Sequence, residues 1–212
     1  MRFRDRRHAG RMLADALAAY RDRADVVVLA LPRGGVPVAF EVARALHAPL
    51  DVFVVRKLGF PGHEEFAMGA IASGGVRVMN PEAQQFGVSP SAIEAVAARE
   101  TRELERREHL YRGERAPIDI ADHIAILVDD GLATGSTMRA AAAAVRQRRP
   151  RRIVVAVPVA ARDTCESLRA EVDEVVCGTT PEFFRAVGVW YDDFDQTSDE
   201  EVHALLDASR RL

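Results

Sequence analysis

Short apolar runs alternate along this chain with segments of helical period. The runs are Val26-Val27-Val28-Leu29-Ala30-Leu31, Val52-Phe53-Val54-Val55, Ile124-Ala125-Ile126-Leu127-Val128, Ile153-Val154-Val155-Ala156-Val157 and Glu174-Val175-Val176-Cys177. Their unbroken, β-branched character is that of strands buried on both faces. Helical patterns over 36–46, 138–146 and 162–170 lie between them. The order predicts an α/β fold, a central, mainly parallel β-sheet flanked by helices. Three stretches break the rhythm. Residues 66–79, with Gly69, Gly74 and Gly75, read as a loop running into a hairpin. Residues 89–112 read as a long solvated helix supported by pairs such as Glu103 and Arg107. Residues 8–20 and 198–210 read as amphipathic helices outside the sheet.

Composition narrows the class. A length of 212 residues, 48% hydrophobic, suits one domain: a core at about 24–180 and a small hood from the chain ends, 1–23 and 181–212. The net charge of -3 argues against a nucleic-acid binder, and the acids of the 89–112 helix nearly balance its bases. No run approaches the roughly 18 apolar residues of a membrane span. The basic start of the chain is not followed by the apolar segment of a secretory signal, so the cytoplasm is the default expectation. Cys165 and Cys177 have no metal-ligand spacing and are expected as two reduced thiols. The chain has one lysine, Lys57, so a mechanism that needs an ammonium has one candidate.

Candidate chemistry concentrates after the third apolar run. Asp129 and Asp130 end it, Gly131, Leu132, Ala133, Thr134 and Gly135 form a small-residue turn, and Ser136 and Thr137 open a helix. In an open α/β sheet, ligands bind beyond the carboxyl ends of strands. A glycine-flanked turn lets N–H groups converge on one point, and the helix start adds free N–H groups and a positive dipole end. That suits a phosphate monoester. The aspartates would repel the phosphate, so they are placed to accept hydrogen bonds from hydroxyls one sugar away or to hold a cation. The pattern asks for a ribose 5-phosphate. It is not a Walker loop, having no Gly-Lys-Ser/Thr, and lacks the Gly-x-Gly-x-x-Gly spacing of dinucleotide sites.

Residues 127–137 resemble the 5-phosphoribosyl 1-pyrophosphate signature of type I phosphoribosyltransferases. The resemblance implies that fold, with Asp129 and Asp130 on the ribose hydroxyls and the loop after them on the 5-phosphate. Leu31-Pro32-Arg33-Gly34-Gly35-Val36 resembles the family's pyrophosphate loop, which often contains a non-proline cis peptide, expected here at Arg33-Gly34. Arg56 and Lys57, read as following the second strand at its carboxyl end, resemble the pyrophosphate contacts of orotate phosphoribosyltransferases. Residues 58–70 stand where the family has a mobile loop, with Glu64 and Glu65 as candidate proton-transfer groups. The implied reaction displaces pyrophosphate from ribose C1 by a nitrogen of a nucleobase-like acceptor through a cationic transition state. Mg²⁺ is the implied cofactor, held by substrate and reaching Asp129 and Asp130 indirectly.

The acceptor is not legible. Ala133 stands where 6-oxopurine enzymes carry an aspartate, and Lys57 is not in the segment of their base-binding lysine. The Asp-Asp-x-Leu-Ala-Thr-Gly pattern is closer to adenine phosphoribosyltransferases. Phe183, Phe184, Trp190, Tyr191 and Phe194 suit either stacking on a planar base or a buried core, and Arg4, Arg6, Arg7 and His8 are candidates for the hood. The order of motifs also resembles a poorly defined bacterial group of phosphoribosyltransferase-like proteins. Two classes stay open, a transferase and a non-catalytic sensor of phosphoribosyl pyrophosphate. The basic segment 1–24 is too short for a helix-turn-helix with its own core, which favours the enzyme. A homodimer is left open.

Overall fold

β1 (Val26–Ala30) and β6 (Ile124–Val128) lie side by side and parallel in the computed structural model, which describes residues 2–80 and 88–211. They are the second and third strands of a five-stranded parallel sheet ordered β2-β1-β6-β7-β8, with β2 at Leu50–Val52, β7 at Arg152–Val159 and β8 at Glu174–Thr179. All ten residues of β1 and β6 are buried. Their side chains alternate between two cores, Val26, Val28 and Ala30 into one and Val27 and Leu29 into the other. Each large aliphatic side chain so buried is worth about 1.5–3 kcal/mol.

One face of the sheet is covered by α1 (Arg6–Ala16), α2 (Gly35–Leu46), α3 (Pro90–Arg112) and α6 (Asp199–Ser209). The other is covered by α4 (Ser136–Gln147) and α5 (Arg162–Leu168). The α/β architecture expected from the apolar runs is the one observed. The end segments are more deeply integrated than a hood implies: Leu13, Ala14 and Leu17 of the first, and Val202 and Leu206 of the last, enter the larger core. Residues 3–6 and the stretch before α6 meet at Asp130, at the carboxyl end of β6.

The second apolar run is not one strand. The chain leaves the parallel sheet after Val52, and Val55 begins a separate antiparallel sheet: β3 (Val55–Phe60), β4 (His63–Ala72) and β5 (Val76–Met79), ordered β3-β4-β5. Phe53 and Val54 are buried at the junction, which hides the break from a hydrophobicity pattern. Arg56 and Lys57 therefore lie within a strand and not at the end of one; of the loop running into a hairpin expected at 66–79, the hairpin is present as β4 and β5, and the part read as loop is already strand.

The thiols are also different from expectation. Cys165 on α5 and Cys177 on β8 form a disulfide, with Cα atoms 6.7 Å apart. α5 packs against the strand that follows it, and this return brings the two cysteines together across 12 positions of sequence. Among the described residues no helix is long and apolar enough to cross a membrane.

Candidate functional site

The chain turns outward from β1 to β2 on one side and from β6 to β7 and β8 on the other. The strand order thus reverses between β1 and β6, and in open parallel sheets ligands bind at that crevice. The two loops singled out in the sequence follow these two strands. They touch because one of them carries no side chains at the contact. A Cβ on Gly34 would lie 2.1 Å from Asp130 Oδ2, and one on Gly35 would lie 2.7 Å from the Val128 carbonyl and 2.9 Å from the Asp129 Cα. The cis peptide of this loop is Pro32-Arg33, one bond before the expected place. Gly34 already has helical backbone as the cap of α2, so the chain makes its reversal before it.

Asp129 Oδ1 accepts the backbone N–H of Asp130 at 2.8 Å. Asp130 Oδ2 accepts Arg6 Nε at 2.8 Å, and the Asp130 carbonyl accepts the Tyr191 hydroxyl at 2.6 Å. Burial raises the pKa of both carboxyls. Repulsion from Asp130 pushes Asp129 further up, well above the usual carboxylate range, while the Arg6 guanidinium pulls Asp130 back down. The Tyr191 hydroxyl is driven upward by burial and holds its proton, so it acts as a fixed donor.

Beside the acids, Asp129, Gly131, Ala133, Thr134, Gly135, Ser136 and Thr137 line a concavity of about 170 Å³, roofed by Val187. Among the described residues the N–H groups of Ala133, Thr134 and Gly135 donate to no protein acceptor. Leu132 lines this cradle too and anchors it: its side chain is core, its N–H donates to the Val159 carbonyl and its carbonyl accepts from the Ala161 N–H. Thr164 Oγ1 braces the other end by donating to the Ala133 carbonyl at 2.6 Å. A crystal grown in sulfate or phosphate is expected to show the anion on these N–H groups; density elsewhere only, with this cradle collapsed, would contradict the assignment.

Gly131 sits under the roof. A Cβ there would meet Val187 Cγ1 at 2.5 Å and Val159 Cγ1 at 3.1 Å. Gly131→Ala is expected to cost about 1–3 kcal/mol in denaturant unfolding, as overpacked sites do. Adding Val187→Ala should return most of it. Wild-type stability of Gly131→Ala alone would show that the roof yields freely.

Successive residues of a strand face opposite ways. Arg56 accordingly turns to α3, where Nε and Nη2 both donate to Glu100 Oε2 at 2.9 and 2.7 Å. Lys57 faces the other way, exposed, into a groove of about 370 Å³ that it shares with Ser136 and Arg139 of α4, Asn80 and Glu171. The structure thus brings Lys57 to the cradle's edge and ties Arg56 elsewhere. Arg33 leans toward α6, with Nη1 3.8 Å from Asp199 Oδ1. Glu64 and Glu65 lie on β4, and their side chains fall outside the described residues.

The hood aromatics divide. Tyr191 is buried against Phe3 and Phe194, with ring centroids 5.3 and 4.9 Å apart. Arg6 covers the Phe194 ring at 3.9 Å. Phe184 and Trp190 pack on the same cluster, and Phe183 is 82% exposed. The sequence set Arg6 among several basic residues; nothing local separates it from Arg4, because its partner is 124 positions away. Tyr191's hydroxyl contact to Asp130 was missed for the same reason. A cavity of about 560 Å³ lies at the opposite, amino end of the strands beside Pro49, Leu50 and Arg112. Its Arg44, Arg112 and Arg115 are each paired with a carboxylate, and none of the motif residues faces it.

The family model for the phosphoribosyl transferase domain matches residues 6–193. A Mycobacterium tuberculosis (strain H37Rv) protein provisionally named a phosphoribosyl transferase is 49% identical over 210 residues, 99% of this chain. The chain spans about half the length of that relative, 47%. The crystal structure of TT1426 from Thermus thermophilus is similar with a TM-score of 0.87 and 50% identity, over 97% of this chain and 98% of that one.

Proposed function

The chain belongs to the phosphoribosyl transferase domain family, and from that premise we propose that it binds 5-phosphoribosyl 1-pyrophosphate and transfers the phosphoribosyl group to a nucleobase-like acceptor, releasing pyrophosphate. The observation that carries this reading is the contact of an acid pair with an anion cradle at the reversal point of the sheet.

In this reading the cradle from Gly131 to Thr137 takes the 5-phosphate. Asp129 and Asp130 accept hydrogen bonds from the 2- and 3-hydroxyls, most strongly when ionised. The loop of Arg33, Gly34 and Gly35 takes the pyrophosphate. An acceptor nitrogen forms a bond to C1 as the bond from C1 to the pyrophosphate oxygen breaks. The electron pair leaves with pyrophosphate, and the acceptor's proton passes to the departing group or to Glu64 or Glu65. Lys57 offsets charge that grows on the leaving group, an interaction stronger in the transition state than before it.

The donor set fits Mg²⁺ brought by the substrate. Asp129 and Asp130 would reach the ion through substrate or water, and the bound ion would supply neutralisation of the pyrophosphate.

The test is pyrophosphate release from phosphoribosyl pyrophosphate and Mg²⁺ across a panel of purine and pyrimidine bases. Release that depends on one acceptor is expected. Tight binding without release in every arm would favour a sensor over a transferase.

A further inference from the structure

Arg6 is held from three sides. Its Nε donates to Asp130 Oδ2 at 2.8 Å, its Nη1 donates to the Asp195 carbonyl at 2.6 Å, and its plane lies 3.9 Å from the centroid of Phe194. The two ion-paired side chains are 11% and 15% exposed. Such a fork is pre-organised, and arginine stays charged where lysine can lose its proton. Asp130 needs that charge. Burial disfavours its ionised form, and Asp129 next to it is a second acid in the same crevice. A protonated Asp130 would present a hydroxyl where the diol needs an acceptor.

We propose that Arg6 is a positioning residue: it fixes Asp130 as an ionised acceptor for the sugar diol, so that seating the hood and completing the diol site are one event. The proposal rests on the reading of Asp129 and Asp130 given above. It goes beyond that reading by placing control of the acid pair outside the two signature loops.

Other charges facing Asp130 do not substitute for Arg6. From its own loop comes Asp129, which repels. From the hood comes Tyr191, bonded to the main-chain carbonyl. Asp193 and Asp195 border the cavity around Arg6 and are acids. From α1, Arg7 is bound to Glu41 at 2.7 Å. From the 31–35 loop, Arg33 leans to Asp199, and Gly34 approaches without a side chain.

The test compares wild type, Arg6→Gln and Arg6→Lys. Two readouts are needed: the ¹³C NMR titration of the aspartate carboxyls, and calorimetry with phosphoribosyl pyrophosphate and Mg²⁺ from pH 5 to 9. The titration of Asp130 in Arg6→Gln is expected to move to higher pH. Affinity at pH 7 should fall about tenfold or more, as for lost charge-assisted hydrogen bonds, and the pH at which binding fails should rise. Arg6→Lys should keep part of the affinity and a profile near wild type. Inorganic phosphate should bind the cradle of all three equally.

An unmoved Asp130 titration in Arg6→Gln would overturn the proposal. So would equal losses in Arg6→Gln and Arg6→Lys with an unchanged pH profile, which would make Arg6 a packing residue. If wild type binds phosphate but not phosphoribosyl pyrophosphate, the ligand assignment fails, while the carboxyl titration still decides the role of Arg6.

Discussion

Lys57→Ala is expected to lower turnover by about 10²–10³-fold, the usual loss when a group stabilising transition-state charge is removed. KM for phosphoribosyl pyrophosphate should change much less. The reasoning starts from β3: Lys57 is exposed on it, facing the groove shared with Ser136 at the cradle's edge. It belongs to neither core, so the melting temperature should move little, as surface substitutions stay within about 0.5 kcal/mol. Arg56→Ala is the internal contrast. It breaks a pair with Glu100, which is largely buried, and should lower stability more than turnover. Full turnover in Lys57→Ala would remove Lys57 from the mechanism, and parallel losses of turnover and melting temperature would make it structural.

Asp129→Asn is expected to weaken phosphoribosyl-pyrophosphate binding while leaving the unliganded protein as stable as wild type or more so. A charge-assisted hydrogen bond is worth about 1.5–3 kcal/mol, a loss of roughly ten- to a hundredfold in affinity. The opposite sign for stability follows from burial, which raises the pKa of Asp129 well above the usual value. A carboxyl with a raised folded-state pKa binds its proton in the native state before the unfolded chain does. Its stabilising effect is complete below the unfolded value and is lost as pH rises through the folded one. An amide mimics the protonated form. The wild type, without ligand, should likewise gain stability as pH falls from neutrality into that window, while its affinity for the diol declines. Asp130→Asn is less clean, because it also strips Arg6 of its partner. Wild-type affinity of Asp129→Asn in calorimetry would sink the diol assignment.

The parts of the site that could be read from sequence are those whose chemistry and position are local. Asp129 to Thr137 carries its strand end, turn and helix start in one segment, and the structure keeps them together. The 31–36 loop was legible for the same reason. The errors arise where three dimensions override adjacency. Val52 to Val55 is continuously apolar, yet it spans the exit from one sheet and the entry to another, because both sides of the junction are buried. Reading 56–57 as a strand end instead of a strand interior concealed the alternation that sends Arg56 to Glu100 and Lys57 to the cradle. The cysteine pair could not be seen without the path of α5 over β8. Arg6 and Tyr191 meet Asp130 across 124 and 61 positions, and no window along the chain contains such contacts.

The clasp that closes the site joins the two ends of the fold. The Phe3 N–H donates to the Trp190 carbonyl, the Asp192 N–H donates to the Phe3 carbonyl, and Arg2 reaches the Tyr191 carbonyl across 189 positions of sequence. On a ribosome, where the amino-terminal part emerges first, Arg6 must wait for nearly the whole domain before Phe194 and Asp195 exist to hold it. The strands β1, β6 and β7 are all translated earlier. Contacts of such long separation form slowly, since loop closure must precede any gain from them. A nascent chain therefore has its sheet and its signature loops before Phe194 and Asp195 can hold Arg6 against Asp130.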